Sequence, residues 1–112
     1  MKNPESNTDL GLREFQKIIE STYYQKDSAR GVEGSFMWLV EEVGELARTL
    51  NSGDPGSREE QAEFADVLAW IASLASLRGV DLAQCVIDKY SSGCPRCENI
   101  PCQCQHRSGD EC

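Results

Sequence analysis

The sequence contains very little histidine and few basic residues, and both shortages exclude classes of protein. Its 112 residues include one histidine, His106, near the C-terminus. A di-iron carboxylate bundle needs Glu-x-x-His pairs on its helices, and Ser–His or Cys–His catalysis needs a histidine beside the nucleophile, so neither chemistry is expected. With 11 Lys and Arg against 19 Asp and Glu, the net charge is −8. This charge argues against duplex nucleic acid or an anionic membrane as a partner.

Long apolar runs and a targeting segment are also missing. The longest apolar stretch, Val67 to Leu77, is too short to cross a bilayer and contains two serines. Residues 1–8 are polar, so we expect them to be a flexible N-terminus and not a leader. Apolar residues make up 39% of the chain, as in ordinary globular proteins. We therefore expect a cytoplasmic protein with one folded domain over residues 9–90 and no membrane partner.

Two short runs carry pairs of acidic residues at helical spacing. Glu42 and Glu45 are three residues apart, as are Glu63 and Asp66, so each pair lies on one face of a predicted helix. Residues 51–57, which separate the runs, are almost all turn formers. In an antiparallel hairpin around this turn, Glu42 faces Asp66 and Glu45 faces Glu63. The sequence therefore predicts four carboxylates in one small volume.

Carboxylates that face one another raise one another's pKa unless a cation neutralises them. Magnesium prefers oxygen ligands, keeps some of its waters and binds substrate phosphates. We therefore predict that Glu42, Glu45, Glu63 and Asp66 bind Mg²⁺, with Mn²⁺ able to replace it. The alternative is a solvated acidic face, since Glu is usually a surface residue.

The acidic runs resemble a known family signature. Glu41-Glu42-Val43-Gly44-Glu45-Leu46, followed by Glu63-Phe64-Ala65-Asp66, is similar to the Glu-Glu-x-x-Glu … Glu-x-x-Asp motif of the MazG-like nucleotide pyrophosphohydrolases. The resemblance implies an all-α homodimer or homotetramer that hydrolyses nucleoside triphosphates, either dNTPs or non-canonical NTPs, to the monophosphate and pyrophosphate with Mg²⁺. The motif residues would be catalytic. Glu41 lies one residue off the face that the other acids share. It is therefore either a general base that does not bind the metal directly or merely an exposed residue.

Apolar periodicity and turn residues predict a bundle of about four helices around the acidic hairpin. The expected helices are 9–26, 35–50, 58–78 and 82–90, with a loop over 27–34 and Ser57 as the N-cap of the third helix. The third helix is apolar or small on nearly every side. Burial on every side in so short a chain indicates a subunit interface.

Five further side chains are candidates for substrate binding. Trp38 and Trp70 are equally far from the turn, so both lie at one end of the acidic cluster, where they either stack a nucleobase or pack in a core or subunit interface. Lys26 and Arg30 precede the acidic helix and are either phosphate ligands or solvated loop charges. Lys89, on the last predicted helix, is the candidate for a basic phosphate-binding residue that the resemblance implies.

Residues 91–112 form a cysteine-rich C-terminal tail. Four cysteines lie within eleven residues, and they form two close pairs, Cys94 with Cys97 and Cys102 with Cys104. Cys-Pro-x-Cys followed by Cys-x-Cys favours a tetrahedral Zn²⁺ knuckle, for which His106 and Cys112 are substitute ligands. Disulfides and a reduced, unstructured segment are the alternatives. Cys85, on the last helix, is interpreted as a buried thiol.

A non-enzymatic function is the alternative to a hydrolase. In that case the helices form a dimer that binds a partner through a zinc-bound tail, and the acids are surface charges. Loss of activity in Glu42→Ala or Asp66→Ala, with the fold intact, would favour the enzyme.

Overall fold

The structure of the protein is a computed structural model that describes residues 9–107. Three helices and no strand occur among these residues: α1 (Leu12–Ser52), α2 (Arg58–Leu77) and α3 (Leu82–Tyr90). The predicted all-α class is confirmed. The flexible N-terminus expected over residues 1–8 and the substitute ligand Cys112 lie outside the described residues.

Helix α1 is one long, kinked helix where the sequence analysis predicted two helices and a loop. Residues on both sides of Gly31 are helical, and Gly31 alone departs, with a φ of 91° and a ψ of 172°. A positive φ is the conformation in which glycine is favoured. The predicted break between the first two helices is therefore present, but it is the single residue Gly31 and not a loop over 27–34. The helix also begins later than expected, with Gly11 and not Asp9 at its N-cap.

Polar side chains on the two sides of Gly31 bond to each other across the kink of α1. Nη1 of Arg30 donates to Oδ1 of Asp27 at 3.0 Å and to Oγ of Ser35 at 3.1 Å. Asp27 is 3% exposed and Ser35 is fully buried. Buried polar groups occupy the inward face here because they bond to each other across the kink. The apolar periodicity is lost for that reason, although the residues on both sides of Gly31 are helical.

Helices α1 and α2 form the predicted antiparallel hairpin. Oγ of Ser57 accepts a hydrogen bond from the backbone N–H of Glu60 at 3.2 Å, which confirms the predicted N-cap. The Glu60 carboxylate in turn accepts from the N–H of Gly56, not from that of Ser57. At the far end of the hairpin, Nε2 of Gln16 donates to the carbonyl oxygen of Val80 at 2.7 Å.

The chain divides into two compact units, Met1–Asp81 and Leu82–Cys112. The domain bounds expected from the sequence, 9–90 and 91–112, stay a prediction. Few apolar residues are buried among those that the structure describes, and they are Ile19, Ala72 and Ala75. In the described part of the chain no single helix is long and apolar enough to cross a membrane, although α2 and α3 taken together pass that test of length and composition.

Candidate metal centre

Three of the predicted metal ligands meet in the middle of the hairpin. Glu42 comes from α1, and Glu63 and Asp66 come from α2 one helical turn apart. One carboxylate oxygen from each lies within 4.8 Å of the other two. Glu42 and Glu63 are half-buried, and Asp66 is exposed. This group of three is called the carboxylate cluster below.

The fourth predicted ligand stands outside the carboxylate cluster. Oε1 of Glu45 accepts from Nη1 of Arg48 at 3.1 Å, in an ion pair between neighbours on α1. Glu41 is exposed and shares with Glu45 the wall of a shallow cavity of about 410 Å³ along α1. The structure thus brings together Glu42, Glu63 and Asp66, and places Glu41 and Glu45 beside them on α1.

The carboxylate cluster carries more negative charge than its surroundings neutralise. Burial raises the pKa of Glu42 above its usual range, and the carboxylates of Asp66, Glu63 and Glu45 raise that pKa further. Oε1 of Glu63 is buried and has no hydrogen-bond partner among the described residues. A buried carboxylate oxygen without a donor is costly. Both observations fit a bound cation, and three oxygen ligands suit a hard divalent ion.

An aromatic pair lies one turn from the carboxylate cluster. The rings of Trp38 and Trp70 stack with centroids 6.1 Å apart and planes 9° from parallel. The guanidinium carbon of Arg30 lies 4.9 Å from the Trp70 ring centroid, as in a cation–π contact. Trp38 remains 50% exposed. The two tryptophans therefore face each other across the hairpin, as predicted.

A small cavity lies between Asp66 of the carboxylate cluster and Trp70 of the aromatic pair. Its volume is about 240 Å³, and its lining residues are Tyr23, Lys26, Asp27, Arg30, Asp66, Ala69, Trp70 and Ser73. One cluster carboxylate, two cations and one indole therefore face the same space. Such a mixture is suited to a ligand with an anionic and an aromatic part.

Sequence reasoning missed the residues that hold Arg30 in place. The buried carboxylate of Asp27 and the buried hydroxyl of Ser35 both accept from its guanidinium. Asp27 and Arg30 are three residues apart, a spacing at which helical side chains meet. The spacing of Asp27 and Arg30 indicates such a pair only if residues 27–34 are helical, and the two glycines in that range predict a loop.

The remaining predicted site residues belong to the second compact unit. Nζ of Lys89 lies 5.7 Å from the Tyr90 ring centroid, and its role in phosphate binding stays a prediction. Four sulfur atoms lie within 4.8 Å of one another, and they belong to Cys94, Cys97, Cys102 and Cys104. His106 is not part of this group of described residues. Cys85 is exposed, so its interpretation as a buried thiol was wrong.

The cysteine group also has perturbed acidities. A hydrogen bond from the backbone N–H of Gln103 lowers the pKa of Cys97 to about 6. For Cys102, the N–H of Cys104 acts in the same direction, but contacts with the Cys94 and Cys97 sulfurs, together with burial, raise its pKa overall. Contacts among the sulfurs therefore favour the thiolate form of Cys97 and disfavour that of Cys102.

The chain matches the model of a known protein family. The family model described as MazG nucleotide pyrophosphohydrolase domain matches residues 31–98, which is more than half of the chain. The matched range begins at the kink of α1 and includes the carboxylate cluster, both tryptophans and Lys89. No curated protein matches the chain.

Proposed function

Because the chain belongs to the MazG nucleotide pyrophosphohydrolase family, we propose that it hydrolyses nucleoside triphosphates to a nucleoside monophosphate and pyrophosphate. Its substrates are dNTPs or non-canonical NTPs, and its cofactor is Mg²⁺. Water attacks the α-phosphorus, the bond to the bridging oxygen breaks, and pyrophosphate leaves. The reaction needs no nucleophilic side chain.

The observation that carries the proposal is the carboxylate cluster with its unpartnered oxygen. Glu42, Glu63 and Asp66 would hold the ion, and Oε1 of Glu63 is a buried acceptor in need of positive charge. Magnesium at this place supplies charge neutralisation for phosphate oxygens and lowers the pKa of a bound water. Glu45 would be a fourth ligand if its carboxylate turned from Arg48, with which it forms an exposed ion pair that contributes at most about 1 kcal/mol.

The cavity beside the cluster supports binding of a nucleotide. Arg30 and Lys26 line it together with Asp66, so their charges can meet the phosphate oxygens that the metal does not reach. Asp27 and Ser35 fix the Arg30 guanidinium, which lowers the entropy lost when a phosphate binds. Trp38, half exposed at the outer side of the stack, offers a face to the base.

The exposed apolar surface of α1 and α2 supports a homodimer or homotetramer. Several large side chains on these helices are about half exposed, and they include Phe36, Met37, Val40, Val43, Phe64 and Leu68. Apolar surface of this extent is unusual on a monomer and marks an interface. Nothing within 4 Å would obstruct a Cβ at Gly44, so this side of α1 is open to a second copy. Analytical ultracentrifugation should give a mass at least twice that of the 12.4 kDa chain.

The test is release of pyrophosphate from a panel of canonical and modified nucleoside triphosphates with Mg²⁺. Wild type should release it from some of them, and Glu42→Gln and Asp66→Asn should lose nearly all activity. Glu20→Gln makes the same charge change at an exposed position of the same helix, so it should keep full activity. No release by folded wild type, or equal release by all variants, would favour the helical dimer that binds a partner through its cysteine tail.

A further inference from the structure

The cysteine segment of the second unit has no part in the proposed hydrolysis. Its four sulfur atoms lie within 4.8 Å of one another, although their residues are spread over positions 94–104. The sulfurs of Cys94 and Cys104, ten residues apart, are only 3.7 Å apart. Packing of a core does not explain why the four sulfurs lie together, since three of the residues are only half-buried and Cys102 is exposed.

The spacing of the sulfurs agrees with tetrahedral zinc coordination. A zinc–sulfur bond is about 2.3 Å long, so two thiolates at the corners of a tetrahedron lie about 3.8 Å apart. The Cys94–Cys104 distance of 3.7 Å is close to that value. The other sulfur pairs lie within 4.8 Å, so a contraction of about 1 Å or less brings all of them to tetrahedral spacing.

Backbone N–H groups surround the sulfurs as they do around metal-bound thiolates. The N–H groups of Arg96 and Gln103 each lie 3.4 Å from a sulfur, that of Cys94 and that of Cys97 respectively. The N–H of Cys104 donates to the sulfur of Cys102 at 3.3 Å. Donors of this kind stabilise the thiolate, the form that binds a metal. Three of the four sulfurs therefore already have a donor for their negative charge.

The first pair of cysteines lies on a closed turn. The N–H of Cys94 donates to the carbonyl of Asn99 at 3.2 Å, and the N–H of Glu98 donates to the carbonyl of Cys94 at 2.6 Å. Gly93, with a φ of 96°, leads into the turn, and a Cβ there would lie 2.5 Å from Cγ1 of Ile100 and 2.7 Å from the Asn99 oxygen. The turn thus holds Cys94 and Cys97 together before any ion binds, which reduces the ordering cost of binding.

We propose that Cys94, Cys97, Cys102 and Cys104 of the reduced chain bind one Zn²⁺ ion as a tetrahedral four-thiolate site. Four soft sulfur ligands select zinc over the hard cations that suit the carboxylate cluster. Cys104 is disulfide-bonded in the structure, so it is a zinc ligand only after reduction. The ion would stabilise the loop-rich segment after α3, as structural zinc does in small domains.

The test is the zinc content of the full chain. The chain is reduced with a phosphine, stripped with a chelator, reloaded with zinc chloride and desalted, and metal and protein are then measured by mass spectrometry and absorbance. We expect about one zinc per chain, as a single four-thiolate site requires. Cys97→Ser and Cys102→Ser should lower this content at least tenfold.

Two matched controls separate the cysteine site from other sites. Cys85→Ser removes an exposed thiol outside the group, and Glu42→Gln removes a carboxylate of the cluster; both should keep the full zinc content. Wild type loaded with Co²⁺ should show the intense visible bands of tetrahedral thiolate coordination, which tests the geometry without relying on a variant that folds poorly. Because neither readout involves a nucleotide, the zinc site and the proposed hydrolysis can fail independently.

The proposal is overturned by any of four results. Reduced wild type could retain no zinc, the serine variants could retain as much as wild type, or the cobalt spectrum could be that of six oxygen ligands. Retention of iron with sulfide in place of zinc would also overturn it.

Discussion

Replacing Glu42 by Gln should stabilise the metal-free protein, although it removes a proposed metal ligand. Glu42 lies within 4.8 Å of both Glu63 and Asp66 through its carboxylate oxygens. In the absence of metal these charges repel, and the repulsion contributes to the raised pKa of Glu42. A neutral amide of the same shape removes two repulsive pairs and can donate a hydrogen bond to Oε1 of Glu63, the buried oxygen without a partner.

The size of the effect follows from the distance between the charges. Two unit charges 4.8 Å apart repel by about 1 kcal/mol in water and by about 3.5 kcal/mol at an effective dielectric constant of 20. Because Asp66 is exposed and the other two residues are half-buried, the lower limit applies, and two pairs give about 1–2 kcal/mol. For a domain of this size, each kcal/mol shifts Tm by about 4–8 °C.

The pH dependence of this effect has a definite sign. Since the folded-state pKa of Glu42 is raised from 4.5, its contribution to stability is fully present below that value and is lost as pH rises through the raised pKa. The Tm difference between Glu42→Gln and wild type should therefore be small in acid and should grow towards neutral pH. Magnesium at neutral pH should raise the Tm of wild type but not that of the variant.

Thermal unfolding followed by circular dichroism, with chelator or with Mg²⁺, measures both effects. Glu20→Gln, an exposed change on the same helix, should match wild type in every condition. A Glu42→Gln variant that melts below wild type without metal, and that gains as much as wild type from Mg²⁺, would refute the reasoning.

Three further outcomes are expected. Gly31→Ala should lower the free energy of unfolding by about 1–3 kcal/mol, because Gly31 has a φ of 91° and a ψ of 172°, a conformation nearly restricted to glycine; an unchanged midpoint in a urea titration would contradict the kink. Arg30→Met should cost about 1–3 kcal/mol in the same titration, because it leaves Asp27 buried without its cation, whereas an unchanged midpoint would show that the pair is dispensable. Trp38→Ala should raise KM for the nucleotide at least threefold while the Mg²⁺-dependent rise in Tm is kept, and a loss of that rise would place Trp38 in the metal site instead.

The hairpin and its turn could be predicted because each rests on a local signal. Ser57 is followed at the right spacing by Glu60, and residues 51–57 are turn formers, so the start of α2 was predicted within one residue. The position of the turn then fixed which residues face each other, and the stacking of Trp38 on Trp70 follows from it. Helix α3 was predicted over the same residues that the structure gives.

The helical conformation of the residues beside the kink and the position of Glu45 could not be predicted, because both depend on side-chain pairing. The residues on both sides of Gly31 are helical, and Arg30 bonds to Asp27 and Ser35 there, which a pattern of apolar residues does not reveal. Glu45 faces the hairpin by its spacing, yet Arg48 one turn later draws its carboxylate aside. Spacing alone gives the face of a helix on which a carboxylate lies, while the nearest charge decides where it points.

The most direct test of the central claim is the identity of the products. A nucleoside triphosphate that supports turnover is incubated with the protein and Mg²⁺ and followed by phosphorus NMR. The proposed attack at the α-phosphorus predicts nucleoside monophosphate and pyrophosphate in equal amounts. With Glu42→Gln, only the signals of the unreacted triphosphate should be seen. Nucleoside diphosphate with inorganic phosphate, or no reaction of any nucleotide with folded protein, would contradict the assignment of the carboxylate cluster as the site of pyrophosphohydrolysis.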